Sequence, residues 1–309
     1  MSETGKGLSE KKLLILTLVL VIVIAAPVVA LLLLEAPELG LGAAGRIAVI
    51  RIVGPLEFKG YSILGAVVDA KTYIELIEEA LEDPSIRAVV IRVNSPGGDA
   101  AASEALYYAV KKLAENKTVV AYIEGLGASG AYEMLLPCDR IVAGESSIVG
   151  AVGVYTVVVN VEGLMEKLGV KVYVYKSGAL KDLGSPFREP TSEEEEVFRE
   201  IIEGMFETFK SRVLEHRGEV DGEVFTGRPF VARQALEAGL IDQVGTFDDA
   251  VEAARELAGL PKTAPVEELK PPVPTLFDLL RGGLSEGIRA IPGYKILSMW
   301  PPPIAILRS

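Results

Sequence analysis

Residues 86–132 read IRAVVIRVNSPGGDAAASEALYYAVKKLAENKTVVAYIEGLGASGAY, and their order decides the fold class. The runs 86–93 (IRAVVIRV) and 117–124 (KTVVAYIE) are apolar and β-branched, with little alternation. Strands of that kind sit in sheets covered on both faces. The intervening 99–115 reads as a helix. Outward from this unit the same alternation continues. Strands are expected at 46–53 (RIAVIRIV), 140–143 (RIVA) and 171–175 (KVYVY), and helices at 71–82, 161–168, 191–217, 230–238 and 247–258. Strands alternating with helices define an α/β domain. In the longest helix Val197, Ile201, Met205, Phe209 and Val213 recur every four residues. Thr191 and Glu194 have capping-box spacing, so the acidic run 193–196 reads as a solvated first turn favoured by the helix dipole, not as a metal site.

Two stretches fall outside the alternation. Residues 13–34 (LLILTLVLVIVIAAPVVALLLL) carry no charge over 22 positions. As a helix they would span roughly 33 Å, enough for a bilayer core, and Pro27 is tolerated in lipid. The rival is a cleaved signal peptide, whose apolar region is shorter; the sequence offers only a weak site at Ala43–Ala44–Gly45. Lys6, Lys11 and Lys12 precede the span, so a tail of residues 1–12 is expected in the cytoplasm and the body beyond the membrane. Residues 35–45 form a linker and 46–258 the α/β body. Residues 259–274 are a Pro-rich linker, and the tail 275–309 ends in an apolar, proline-containing stretch around Trp300.

Composition removes several function classes. The 309 residues carry a formal charge of −12, against a general nucleic-acid binder. Half the residues are apolar, which excludes a disordered polyelectrolyte. Single Cys138 and His216 residues exclude an internal disulfide and Cys- or His-rich metal sites, and leave one histidine as a candidate base. No metal or cofactor is expected.

Three glycine loops hold the candidate chemistry. Asn94–Ser95–Pro96–Gly97–Gly98 follows a strand, and its glycines let backbone N–H groups turn toward a ligand. Gly125–Leu126–Gly127–Ala128–Ser129–Gly130–Ala131 fits the dinucleotide fingerprint, with Glu145 twenty residues after Gly125. That fingerprint normally opens its domain, whereas two β-α units precede this one. The same loop nearly fits the nucleophile elbow G-x-S-x-G, with Ala131 in the last place, and exposes Ser129. A nucleophilic serine needs a base. His216, with Asp182 as third member, would make a triad, although a histidine at a helix end is also explained by the dipole. A lysine is the alternative. Lys176 and Lys181 sit in the third loop, YKSGALKDLGSPF (175–187); the SxxK spacing of Ser9 and Lys12 lies in the cytoplasmic tail.

Taken in order, these features resemble the signal peptide peptidase A family of membrane serine proteases. They are the anchor, NSPGG at 94–98, GASGAY at 127–132, CDRIVAGESSIVGAVGV at 138–154, YKSGALKDLGSP at 175–186 and the run from Gly227 to Gly245. The resemblance covers nearly all of 46–258; Ala131 and Glu133 depart from it. It implies a ClpP/crotonase-like fold of repeated β-β-α units behind an N-terminal transmembrane helix. It implies Ser129 as nucleophile, Lys181 as general base, and the backbone N–H groups of Gly98 and Gly130 as the oxyanion hole. It further implies a single-copy chain assembling as a homo-oligomeric ring with Ser129 and Lys181 from neighbouring copies. The enzyme would be single-pass in the cell membrane and would cleave apolar peptides such as remnant signal peptides. The alternatives are a stomatin-operon membrane protease of the same dyad, a crotonase-type acyl-CoA enzyme using paired carboxylates, and an inactive membrane scaffold. The tail 259–309, an apolar end beside protease sites, is a candidate for self-processing; identical intact masses of stored wild-type and Ser129→Ala protein would exclude it.

Overall fold

The computed structural model describes residues 45–58, 62–63, 66–67, 69–271 and 296–299, together with Val23. The chain divides into two units, Met1–Ala44 and Gly45–Ser309. The expected cytoplasmic tail, the anchor at 13–34 and the linker to Ala44 lie outside the described residues, Val23 excepted. No helix of the described residues is long and apolar enough to cross a membrane.

The second unit opens with β1 (Arg46–Val53), the short strands β2 (Ser62–Ile63) and β3 (Ala66–Val67), α1 (Ala70–Glu82), β4 (Ile86–Ser95) and β5 (Gly97–Asp99). Then come α2 (Ala100–Ala114), β6 (Thr118–Ala128), α3 (Gly130–Glu133), β7 (Arg140–Ala143), β8 (Ile148–Gly150), β9 (Tyr155–Thr156) and α4 (Glu162–Lys167). The remainder is α5 (Ser192–Arg217), β10 (Pro229–Val231), α6 (Ala232–Glu237), β11 (Gln243–Val244), α7 (Phe247–Ala258), β12 (Val266–Leu269) and β13 (Ile296–Met299). The main sheet runs β10-β8-β6-β4-β1-β12, with β7 and then β11 branching from β6. Every pair in it is parallel except β8 with β10.

The unbroken apolar strands follow from a sheet covered on both faces. Ile50, Ile52, Val89, Ile91 and Ile123 pack on one side with α1 and α2. Ile47, Val49, Val90, Val120 and Tyr122 pack on the other with α7. β6 is the branching strand: Val120–Ile123 pair with β7, and Leu126–Ala128 pair with β8. Helix starts follow local chemistry. Asp69 accepts from Thr72 N–H ahead of α1, and capping boxes at Thr191/Glu194 and Thr246/Asp249 open α5 and α7.

Two segments differ from the sequence expectation. Residues 171–175 form no strand; they are exposed, Tyr173 by 72% and Tyr175 by 94%. A β-branched run makes a strand only where another strand offers hydrogen-bond partners, and among the described residues none does. Conversely, Val266–Leu269, read as linker, pairs in parallel with β1 and closes that edge of the sheet. Between Pro265 and Pro271 every residue has an N–H, so the prolines bound the strand without interrupting it.

Gly98 is fixed by a close backbone approach. Leu56 N–H donates to Gly97 O at 2.9 Å and Asp99 N–H to Leu56 O at 2.8 Å. A Cβ on Gly98 would lie 2.0 Å from Leu56 O. Gly98→Ala is therefore expected to destabilise the protein by at least ~2 kcal/mol. Gly204→Ala, in mid-helix with open space around it, should instead stabilise by up to ~1 kcal/mol. Thermal unfolding of the two variants reads the opposite signs.

Candidate active site

Ser129 stands where β6 ends and α3 begins, with φ 55° and ψ −128°. A non-glycine residue adopts that backbone at a cost and only when its surroundings impose it. Among the described residues the one other non-glycine with positive φ is Ala151, at 50°. The two are neighbours, because Ser129 N–H donates to Gly150 O at 2.6 Å. Strain is thus concentrated at one spot, the carboxyl end of the central strand. Ser129 is 2% exposed. Its hydroxyl donates to Gly153 O at 3.4 Å, a long bond that is easily exchanged for a better partner.

The first glycine loop lies beside it. Ser95 is in register with Gly127, so β4 and β6 bring both loops to the same sheet edge. Backbone groups alternate along a strand, and Gly97 C=O and Asp99 N–H both face Leu56. The N–H of Gly98 therefore faces the opposite way, toward β13. Gly130 begins α3, where an N–H has no intrahelical acceptor.

The candidate bases lie elsewhere. Lys181 is exposed and borders a shallow hollow with Ser177, Leu180 and Glu193. Among the described residues no hydrogen bond or ion pair links it to Ser129 within the chain. Lys176 donates to Ala179 O at 2.7 Å and to Asp182 at 2.5 Å. Arg188 spans Asp182, at 2.9 and 3.0 Å, and Glu194, at 2.7 Å. Hydrogen bonds from Arg188 and Lys176 hold the Asp182 carboxyl well below the usual range. Arg188 and the Thr191 N–H bring Glu194 down to about 2. Asp182 is thereby committed to the loop it braces. His216 Nε2 shares a hydrogen bond of 2.9 Å with the Tyr107 hydroxyl, and burial lowers its pKa. The structure brings neither His216 nor Asp182 to Ser129, and the triad is not assembled.

The dinucleotide alternative also loses its geometry. Gly125 and Gly127 lie inside β6, not in a loop ahead of a helix, and α3 has only four residues. Glu145 is an exposed surface residue 3.7 Å from Arg233.

Sequence reading missed one buried cluster. Arg212, on α5, donates to Glu133 at 2.7 Å and Glu104 at 2.6 Å, and lies 4.4 Å from the Tyr107 ring centroid. Burial raises the Glu133 pKa despite Arg212. The pair borders a cavity of about 160 Å³ shared with Ala100, Val154 and Phe209. One signal was available: Arg212 interrupts the buried face between Phe209 and Val213, and a charge there requires a partner.

Three comparisons bear on this arrangement. The model of peptidase family S49 matches residues 111–261. A candidate protease of Methanocaldococcus jannaschii is 42% identical over 207 residues, 64% of this chain and 65% of that protein. A candidate protease of Synechocystis is 36% identical over 212 residues, 67% of this chain and 76% of that protein. A candidate signal peptide peptidase of Enterococcus faecium is 29% identical over 236 residues, 74% of this chain and 69% of that protein. The chain thus spans about two thirds of the length of the first relative. A solved mutant of the 1510-N membrane-bound stomatin-specific protease covers 75% of this chain, with a TM-score of 0.49 and 14% identity.

Two outcomes follow. Arg212→Ala leaves Glu133 buried without its counter-charge and should cost ~3–5 kcal/mol in chemical denaturation. For Glu194, the folded pKa of about 2 lies below the ordinary 4.5. Its contribution is complete above pH 4.5 and is lost as pH falls toward 2. The acid limb of a stability–pH curve should therefore be shallower over that window in Glu194→Gln.

Proposed function

This chain belongs to peptidase family S49, and on that premise we propose that it is a membrane-anchored serine endopeptidase working through Ser129 and Lys181. The observation that carries the reading is the imposed positive-φ turn at Ser129, flanked by the Gly98 and Gly130 backbone. In this reading the sheet is of the ClpP/crotonase kind, and residues 13–34 are a single-pass anchor with the catalytic body outside the cell membrane.

The chemistry would run through four groups. Neutral Lys181 takes the Ser129 proton as Oγ bonds to the peptide carbonyl carbon. The carbonyl oxygen becomes an oxyanion held by the Gly98 and Gly130 N–H groups; one lost donor of this type costs about 3–4 kcal/mol. The ammonium then protonates the leaving amine as the C–N bond breaks. Water, deprotonated by the same lysine, attacks the acyl ester and releases the acid and Ser129. A lysine serves as base only when burial disfavours its charge, and Lys181 is exposed in the single chain. That exposure supports a Lys181 delivered to the Ser129 of a neighbouring copy. So does the apolar arm carrying it, where Val159, Leu168, Tyr173 and Tyr175 lie open. A ring of copies would bury the arm.

The substrate class is extended apolar peptide, with remnant signal peptides the natural fit for a membrane-surface site. The crotonase alternative is weakened because the carboxylate beside Ser129, Glu133, is held by Arg212.

Hydrolysis of apolar fluorogenic peptides by the full chain in detergent tests the reading. Ser129→Ala and Lys181→Ala should each lower kcat at least ~10³-fold, while Lys176→Ala and His216→Ala remain active. Mixing the two dead variants before assembly should restore about a quarter of the sites, since a head-to-tail contact pairs each chain with a different neighbour. Activity without Ser129 would refute the nucleophile, and a mixture that stays dead would confine the dyad to one chain.

A further inference from the structure

The cavity of about 160 Å³ that Glu133 and Arg212 border is built from the neighbours of the proposed machinery. Ala100 and Ala101 line it from the start of α2, directly after the Gly97–Asp99 strand that carries Gly98. Val154 lines it and follows Gly153, whose carbonyl accepts from the Ser129 hydroxyl. Glu133 lies one turn beyond Ser129, and its N–H donates to Ser129 O at 3.0 Å. Met205 and Phe209 of α5 complete the apolar lining. A side chain projecting from a peptide held at Ser129 has this space next to it.

The charged part of the lining is out of balance. Arg212 is one cation shared by two carboxylates, Glu133 at 2.7 Å and Glu104 at 2.6 Å. The three groups together keep one negative charge. Glu104 stands at the rim with its side chain 49% exposed, whereas Glu133 is buried, 5% exposed. Arg212 reaches only the Oε1 of Glu133, and among the described residues no hydrogen bond reaches its Oε2. A buried carboxylate oxygen without a donor is costly. Burial accordingly raises the Glu133 pKa, and a cationic donor entering the cavity would offset that burial. Glu133 is also one of the two residues at which the chain departs from the family motif.

We propose that this cavity is a specificity pocket for a primary ammonium, so that the chain cleaves apolar peptides after a lysine whose head meets Glu133 and Glu104. The inference rests on the reading of Ser129 as a peptidase nucleophile and narrows its substrate class. A cavity of roughly 150 Å³ holds a benzene-sized guest, so the space suits one unbranched side chain and not a large ring system. The methylene stem of a lysine packs on Ala100, Val154 and Phe209 while its head stays polar. The same net charge disfavours an acidic side chain.

The test compares fluorogenic peptides of the form Leu-Leu-Xaa on the full chain in detergent. Xaa is lysine, norleucine (the same stem without the ammonium) or glutamate. The lysine peptide should exceed the norleucine peptide in kcat/KM at least ~10-fold, the scale of a hydrogen bond to a charged group, with glutamate the poorest. Glu104→Gln, at the half-exposed rim, should remove most of that ratio and leave norleucine turnover unchanged. Equal turnover of the lysine and norleucine peptides overturns the pocket while leaving the peptidase reading intact, and so does a ratio that Glu104→Gln does not move. Anisotropy of the same peptides, labelled, on Ser129→Ala reads the pocket without catalysis. Lysine preference there, in a chain whose parent hydrolyses none of the peptides, upholds the pocket and refutes the peptidase reading instead.

Discussion

The backbone turn at Ser129 is the constraint on which the rest depends. A residue at φ 55° costs on the order of 1–3 kcal/mol, so β6 has to be anchored well enough to impose it. It is anchored on three sides: β4 along its length, β7 against its first half, β8 against its last three residues. The Ser129 N–H then closes onto Gly150, at the end of β8. Gly127 permits the path, since a Cβ there would meet the Ile123 side chain at 2.8 Å. One strand serves two ends: its first half is core, and its last residues carry the candidate site.

α5 carries the site's second layer. Near its carboxyl end Arg212 grips Glu133, four residues after Ser129 in sequence, and its amino end is tied through Glu194 and Arg188 to Asp182, beside Lys181. One helix thus connects the turn at Ser129 to the arm bearing Lys181. The two ties differ in kind. Glu133 and Arg212 are buried, so each depends on the other. In the Asp182–Arg188–Glu194 bridge Glu194 is buried while Arg188 is 28% exposed, and the bidentate geometry fixes orientation.

What could be read from the sequence was what rests on local pattern. The strands at 46–53 and 140–143 occur with those limits, and the six helices expected in the body are all present. The Thr191 capping box forms as its spacing implied. Partner choice was not local. KVYVY at 171–175 has strand composition but no partner strand among the described residues, whereas VEEL at 266–269 has poor strand composition yet meets the open edge of β1. The same limit applied at the site. Ser129 was visible because its glycine-flanked turn is written in consecutive residues. Arg212 with Glu133, 79 residues apart, and β13 against Gly98 exist only once the chain has folded.

The most direct measurement is covalent labelling of the full chain with a fluorophosphonate, which loses fluoride to an activated serine. The tryptic peptide 118–140, TVVAYIEGLGASGAYEMLLPCDR, contains a single serine, Ser129, so mass mapping assigns the adduct without ambiguity. The structure predicts one phosphonyl group on that peptide, absent after Ser129→Ala and greatly slowed after Lys181→Ala. Labelling on any other peptide, or undiminished labelling without Ser129, would contradict the assignment of the strained turn as the nucleophile.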